Sequence, residues 1–354
     1  MPYWRNDVNI EEDLVEELVR TIGYDSVPTT MLSSPIPSQQ QAPVIGLRDE
    51  VKDLMAAAGF QEVINYPLVT LRQLEQVEAL ERAGQPLRVA NPMSSDREYL
   101  RTTLRASLLA NLASNQGTGA GPFRMFEAGR TFWPRKGDLP EERETVAGVL
   151  AGLRHGPSWL EDESLLDFYD AKGVVEWVLE RLGVAASYEP VDDPAFHPGR
   201  CAQIKKTGGA AGDALLGMVG EVHPVVMERL GLDQPQVAAF ELYLEPILAA
   251  LPHSQRQFEP LPRYPSATRD LALVMPASVT AGRVTQLILR HRGIDRAELF
   301  DIYAGDNIAE GSKSLAFHVY FQARDRTLTN EEVNRSVDGL LRTLERELNV
   351  TLRN

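Results

Sequence analysis

The sequence predicts an α+β protein of several domains, and three observations carry that prediction. Apolar residues recur at helical spacing in segments that stop at glycine, as in Leu47, Val51, Leu54, Met55 and Ala58 before Gly59. Strand-like runs outnumber these helical segments and do not alternate with them as βαβ units would. Beyond the prolines at 260, 262 and 265, the patterns run strand, helix, strand, strand, helix, strand.

Taken in order, Asn9 is placed to cap a helix whose third position is Glu12, with Leu14, Val15, Leu18, Val19 and Ile22 as its apolar stripe and Gly23 as its stop. The Pro-, Ser-, Thr- and Gln-rich stretch 26–43 reads as a linker. After the second helix, residues 63–66 read as a strand and 100–111 as a helix. Strands are then expected at 124–133, 146–153, 203–206, 214–222 and 237–243, with the glycine-rich loop 208–212 as a hairpin connection. A helix over 170–182 turns Val174, Val175, Val178 and Leu179 inward and stops at Gly183. The last segment predicts strand 270–275, helix 279–292, strands 297–303 and 314–322, helix 330–348 and a short final strand, the order of a ferredoxin-like unit. These divisions give domains 1–30, 31–257 and 258–354.

The chain has 354 residues, 43% of them hydrophobic and 24% charged, an ordinary composition for a globular protein. No run approaches the roughly 18 apolar residues that a membrane span needs, and a single cysteine, Cys201, excludes an internal disulfide and fits a reducing cytoplasm. The formal charge of −14 argues against indiscriminate binding to nucleic acid. That charge is uneven. Residues 263–354 carry 13 Lys and Arg against 12 Asp and Glu, whereas 1–262 carry 23 against 38, so the last quarter is the place to look for an RNA contact.

Asp13, Glu16 and Glu17 share one helix face by their spacing, and Asp7 lies just before the helix. Oxygen-only ligands at that density suit a hard cation such as magnesium, and equally a solvated face with acids favouring the helix N-terminus. Arg97, Arg101 and Arg105 read as one side of a helix, open to a phosphate, a partner's carboxylates or plain solvent. The histidines lack metal-ligand spacing, and neither a Walker loop nor a nucleophile elbow is present. In the final domain, Phe317, Val319 and Phe321 alternate with His318, Tyr320 and Gln322, so one set must form the core and the other is free to stack bases.

Arg5-Asn6-Asp7 with Glu12 to Glu17, Asn91-Pro92-Met93-Ser94, Arg101 to Leu104, Phe126-Glu127-Ala128-Gly129-Arg130, His197-Pro198-Gly199-Arg200, Leu299 to Tyr303 and Lys313 to His318 stand in one order along the chain. In that order the sequence resembles the beta subunit of bacterial phenylalanyl-tRNA synthetase, over essentially its whole length. The family's beta subunit is longer, so the chain reads as a C-terminal portion lacking the RNA-binding and editing domains.

The resemblance implies a partial helical module, then a catalytic-like domain built as a class II synthetase core without catalytic residues, then a ferredoxin-fold anticodon-binding domain. It implies magnesium on Asp7, Asp13, Glu16 and Glu17, shared with an alpha subunit, and RNA contacts at Asp301, Tyr303 and Ser314. Arg269 and Arg326 are added as holders of phosphate. The expected assembly is a cytoplasmic heterotetramer of two alpha and two beta subunits, free of membrane, that attaches phenylalanine to tRNA(Phe) with ATP as substrate; this chain by itself would be inactive. The alternatives are a free-standing tRNA-binding or regulatory paralogue and an independent metal-dependent enzyme.

Overall fold

Helix α1 (Glu11–Ile22) begins one residue later than a cap at Asn9 would place it. Ile10 takes the N-cap, and the Asp13 carboxylate reaches back to accept from the N–H groups of Asn9 (2.7 Å) and Ile10 (3.0 Å). A charged acceptor two residues inside the helix satisfies those otherwise unpaired donors, and the Asn9 amide turns to donate to the Asn6 carbonyl (2.9 Å). The helix buries none of its residues. It belongs to the first of two compact units, Met1–Ala42 and Pro43–Asn354. The computed structural model describes residues 2–353 except 32, 35–40, 81–83, 119–121, 157, 161–162, 208–213, 253–257, 259 and 306–307, so the expected hairpin loop at 208–212 lies outside the described residues.

The second unit opens with α2 (Pro43–Ala57), β1 (Gln61–Glu62), β2 (Leu68–Val69), α3 (Leu71–Gln76), β3 (Tyr99–Leu100) and α4 (Arg105–Asn115). It continues through β4 (Phe123–Trp133), β5 (Glu141–Ala151), α5 (Phe168–Arg181), β6 (Ala186–Pro190), β7 (Phe196–Lys206), β8 (Leu215–Val222), α6 (Pro224–Leu230), β9 (Val237–Tyr243) and α7 (Leu244–Ala250). The larger sheet runs β1-β4-β5-β9-β8-β7-β6, antiparallel throughout except for β1 beside β4.

Both faces of this sheet are covered. Val146 and Leu150 of β5 pack with Leu47, Val51 and Met55 of α2, Val175 and Val178 of α5 and Ile247 of α7. Ala147 and Val149 pack with Leu74 of α3, Leu108 and Leu112 of α4 and Val226 of α6. That double burial is why residues 146–151 of β5 read as an unbroken apolar run, with no polar alternation. Gly148 stands opposite Phe240 of β9, and a Cβ on it would come within 2.4 Å of the Phe240 ring. Close packing of that ring on the sheet requires glycine there.

Two expectations are displaced. No strand forms at the expected 63–66; β1 lies just before it at Gln61–Glu62, the Val63 N–H still reaches the Phe126 carbonyl (2.8 Å), and Asn65 turns its amide onto the Glu127 carboxylate (2.7 Å). The helix expected from residue 100 starts at Arg105, so Arg97, Arg101 and Arg105 share no helical face. Arg97 stacks on Tyr66 at 3.8 Å, and Arg101 and Arg105 are buried, each 4% exposed.

The unit closes with β10 (Ala267–Pro276), α8 (Ala281–Arg290), β11 (Ile294–Tyr303), β12 (Ser312–Phe321), α9 (Asn330–Leu348) and β13 (Thr351–Leu352), the expected βαββαβ order. Its antiparallel sheet runs β11-β12-β10-β13. Leu271, Leu273, Leu315, Phe317, Val319 and Phe321 form the core with Val284 and Ile288 of α8 and Val333, Leu340 and Leu344 of α9. Thr329 caps α9, its hydroxyl accepting from the Glu332 N–H while Glu332 accepts from the Thr329 N–H (2.9 Å).

Candidate nucleic-acid interface

Because α8 and α9 both pack on the Phe317 side of the small sheet, the side chains of opposite parity stand on the face that these two helices leave open. Cross-strand register assembles that face. Tyr303 of β11 stands opposite Ser314 of β12 and Asp301 opposite Ala316, while Val274 and Ala272 of β10 stand opposite the same Ser314 and Ala316. The structure therefore brings Asp301, Tyr303 and Ser314 together.

Their accessibility differs. Asp301 is exposed and Tyr303 half-buried, but Ser314 is only 3% exposed. At the far edge of the sheet the Arg353 N–H donates to the Ala272 carbonyl (2.7 Å). From that anchor the Arg353 guanidinium reaches the Tyr303 ring, 4.8 Å from its centroid. Since β12 and β10 lie between β11 and β13, this pair reaches across the two central strands.

Further along the face, the Phe300 and His318 rings stack in parallel with centroids 4.0 Å apart, and His318 Nδ1 lies 2.7 Å from Asp270. Strict alternation from Asp301 would send Phe300 to the opposite side. A register shift between Leu299 and Asp301 turns it onto the open face instead, where half of it is exposed. Next to that stack, the Tyr320 hydroxyl donates to Glu298 (3.0 Å), which raises the phenol's pKa, and Arg296 lies over the Tyr320 ring at 4.1 Å. The Phe300 and Arg353 placements escaped sequence reasoning, since a bulge and a cross-sheet reach leave no periodic signal.

Arg269 and Arg326 stand elsewhere. Arg269 shares the parity of Leu271 and donates to Asn330 (3.1 Å) at the start of α9. Arg326 donates to Glu332 (2.8 Å), the carboxylate that closes the α9 cap. That cap holds Glu332 below the usual carboxylate range, first through the Thr329 N–H and then through Arg326.

The acidic motif of the first unit is also committed within itself. Arg5 holds Asp7 (2.7 Å) and Glu17 (2.5 Å) in one guanidinium fork, and Arg20 adds a second contact to Glu17 (2.6 Å). These bonds depress both carboxyls and raise Arg5, while the Asn9 and Ile10 N–H groups depress Asp13. Glu16 is exposed. Among the described residues no group of carboxylates is gathered as a metal site needs, and Arg5 stands where a cation between Asp7 and Glu17 would stand. In this arrangement the four acids do not fit a resident magnesium ion.

In the larger sheet domain several polar side chains are bound to one another. Arg101 bonds to Glu127 (2.6 Å) and to the Arg130 carbonyl (3.0 Å), and Arg130 pairs with Glu142 and Glu144 at 2.8 Å each. The short Thr103 to Glu241 bond closes a cavity of about 20 Å³, room for about one water, into which Thr102 and Arg105 also point. Nothing of the size of a nucleotide is accommodated there. Cys201 is buried in β7, as a small apolar residue would be. Among the described residues no helix is long and apolar enough to cross a membrane.

Comparison with known proteins agrees with the geometry. Residues 27–244 match the family described as phenylalanyl tRNA synthetase beta chain CLM domain, and residues 262–353 match the ferredoxin-fold anticodon binding domain. Curated relatives named phenylalanine–tRNA ligase beta subunit include those of Dehalococcoides mccartyi (34% identical, 99% of this chain, 42% of the relative), Anaeromyxobacter dehalogenans (37%, 100% and 44%) and Geobacillus kaustophilus (35%, 100% and 43%). The chain thus spans less than half the length of these relatives. A small helix-backed sheet presenting aromatics on its open face, joined to a larger antiparallel sheet domain, belongs with these matches: the chain is a member of the phenylalanyl-tRNA synthetase beta-chain family.

Proposed function

We propose that this chain forms the part of a phenylalanine–tRNA ligase beta subunit that recognises the anticodon of tRNA(Phe) and carries the interface to a cytoplasmic alpha subunit, in an assembly of two alpha and two beta subunits. The observation that carries the reading is the open sheet face, where Asp301 and Tyr303 stand side by side opposite the face that α8 and α9 cover. Aromatic rings on such a surface stack unpaired bases, and a carboxylate accepts from a base edge. In this reading residues 31–257 are the alpha-subunit platform and 258–354 the anticodon module, with ATP consumed at the alpha subunit's site. Magnesium at Asp7, Asp13, Glu16 and Glu17 enters the proposal only if assembly draws Arg5 away from Asp7 and Glu17.

Tyr303→Ala tests it, with binding to tRNA(Phe) transcripts of native and altered anticodon as the readout. The expected result is a loss of about 1–3 kcal/mol on the native transcript and little on the altered one. Equal affinity of the parent chain for both transcripts would sink the anticodon reading. Co-expression with an alpha subunit, followed by size exclusion and phenylalanine-dependent ATP–pyrophosphate exchange, tests the interface.

A further inference from the structure

We propose that Arg353 is an RNA-contacting residue, whose guanidinium leaves the Tyr303 ring when a base stacks there and then binds the phosphate of that nucleotide. The inference rests on the anticodon reading above and adds to it the residue that supplies positive charge at the stacking position.

The open face carries carboxylates at Asp270, Glu298 and Asp301, an unfavourable surface for a polyanion unless cations stand among them. Arg296 is engaged, lying over Tyr320 and paired with Glu298 at 3.0 Å. Lys313 lies on the opposite parity and donates to the Ala277 carbonyl (2.9 Å). Arg353 is different: its side chain is exposed, and among the described residues it has no carboxylate partner, only the Tyr303 ring at 4.8 Å. Its backbone is fixed by the bond from its N–H to the Ala272 carbonyl, so a guanidinium displaced from the ring stays beside it.

The exchange is favourable on general grounds. An exposed guanidinium over a phenol ring is held more weakly than a nucleobase stacked on an aromatic side chain. A stacked nucleotide also brings its own phosphate, and the planar fork of arginine binds phosphate through two N–H groups at once. Arg353 therefore covers Tyr303 in the free protein and compensates the RNA backbone in the complex.

The test uses the full chain with an unmodified tRNA(Phe) transcript, comparing Arg353→Ala, Arg353→Lys and Tyr303→Ala over a range of salt. For Arg353→Ala the expected result is weaker binding, with the slope of log affinity against log salt reduced by about 0.7, one phosphate contact on a single strand. Arg353→Lys keeps the charge and should restore the slope. An unchanged melting temperature in Arg353→Ala checks that the loss is not one of folding.

Tighter binding of Arg353→Ala at every salt concentration would make the guanidinium a mere cover and overturn the proposal. Unchanged affinity and slope would overturn it too; if Tyr303→Ala still loses anticodon preference, the anticodon reading survives. If neither substitution affects binding, the face does not contact the anticodon and both ideas fall.

Discussion

The Arg101 guanidinium and the Glu127 carboxylate meet at 2.6 Å with both side chains almost wholly out of water. Asn65 completes the carboxylate's bonding, the Arg130 carbonyl takes the Arg101 Nε–H, and Gly129 leaves room that a Cβ would fill 2.5 Å from the guanidinium. The pair ties the segment before α4 to β4, so it sets where that segment lies on the sheet.

Arg101→Ala should therefore strand a buried charge and destabilise the chain by about 3–5 kcal/mol, seen as a lower urea midpoint. Replacing both partners, Arg101→Met with Glu127→Leu, should cost much less, since two apolar side chains need no solvation. Equal losses in the single and double variants would show that the pair's polar geometry itself is required.

Tyr188 packs at the edge of the α2–α5–α7 core with its hydroxyl buried and without a hydrogen-bond partner among the described residues. Burial, and then the charge of Glu176, push its phenol pKa up. Tyr188→Phe removes the unsatisfied oxygen and keeps the ring, so it should be neutral or stabilising by up to about 1 kcal/mol. Chemical denaturation of the two proteins decides it; a loss of more than that would reveal a partner for the hydroxyl.

The start of α1 should come loose in acid. Asp13 is depressed by the Asn9 and Ile10 N–H groups, and Asp7 and Glu17 by Arg5. A carboxyl depressed in the folded state stabilises in full above its unfolded pKa, near 4, and loses that contribution as pH falls through its folded value. The amide resonances of Asn9 and Ile10 should shift in that window below about pH 4, and Asp13→Asn should abolish the transition.

Arg5 should keep a cation out of the acidic motif. With its guanidinium on Asp7 and Glu17, added magnesium should leave the carboxyl resonances of the free chain unmoved. Arg5→Ala frees Asp7 and leaves Glu17 held by Arg20 alone, and should bring on a weak, saturable magnesium response. Tight binding by the parent chain would show that the ion displaces Arg5 unaided.

The longer helices and most long strands could be read in advance because each follows from short-range chemistry, whereas the short helices α3, α6 and α7 and the strands β2, β3 and β6 were not read. Gly183 stops α5 with φ at +75°, and the alternation of Phe317, Val319 and Phe321 against His318 and Tyr320 tells the two faces of β12 apart. The helix expected from residue 100 failed because its apolar periodicity is real only from Leu104 onward, while Arg101 is drawn by Glu127 into an extended path. Of the candidate RNA residues, Asp301, Tyr303 and Ser314 do share a face, whereas Arg269 and Arg326 are taken up by the start of α9.

Local sequence by itself determined the order of elements in the last domain, the inward stripes of α2 and α5 and the side of β12 that faces the helices, since period and capping act within a few residues. Only the tertiary structure decided which charges are free. Arg5, Arg101, Arg326 and Arg353 look alike in sequence, yet three are neutralised by carboxylates, and Arg353 alone of the four rests on an aromatic ring. A long flexible side chain chooses its partner from whatever the fold brings within its reach, and that choice has no period to read.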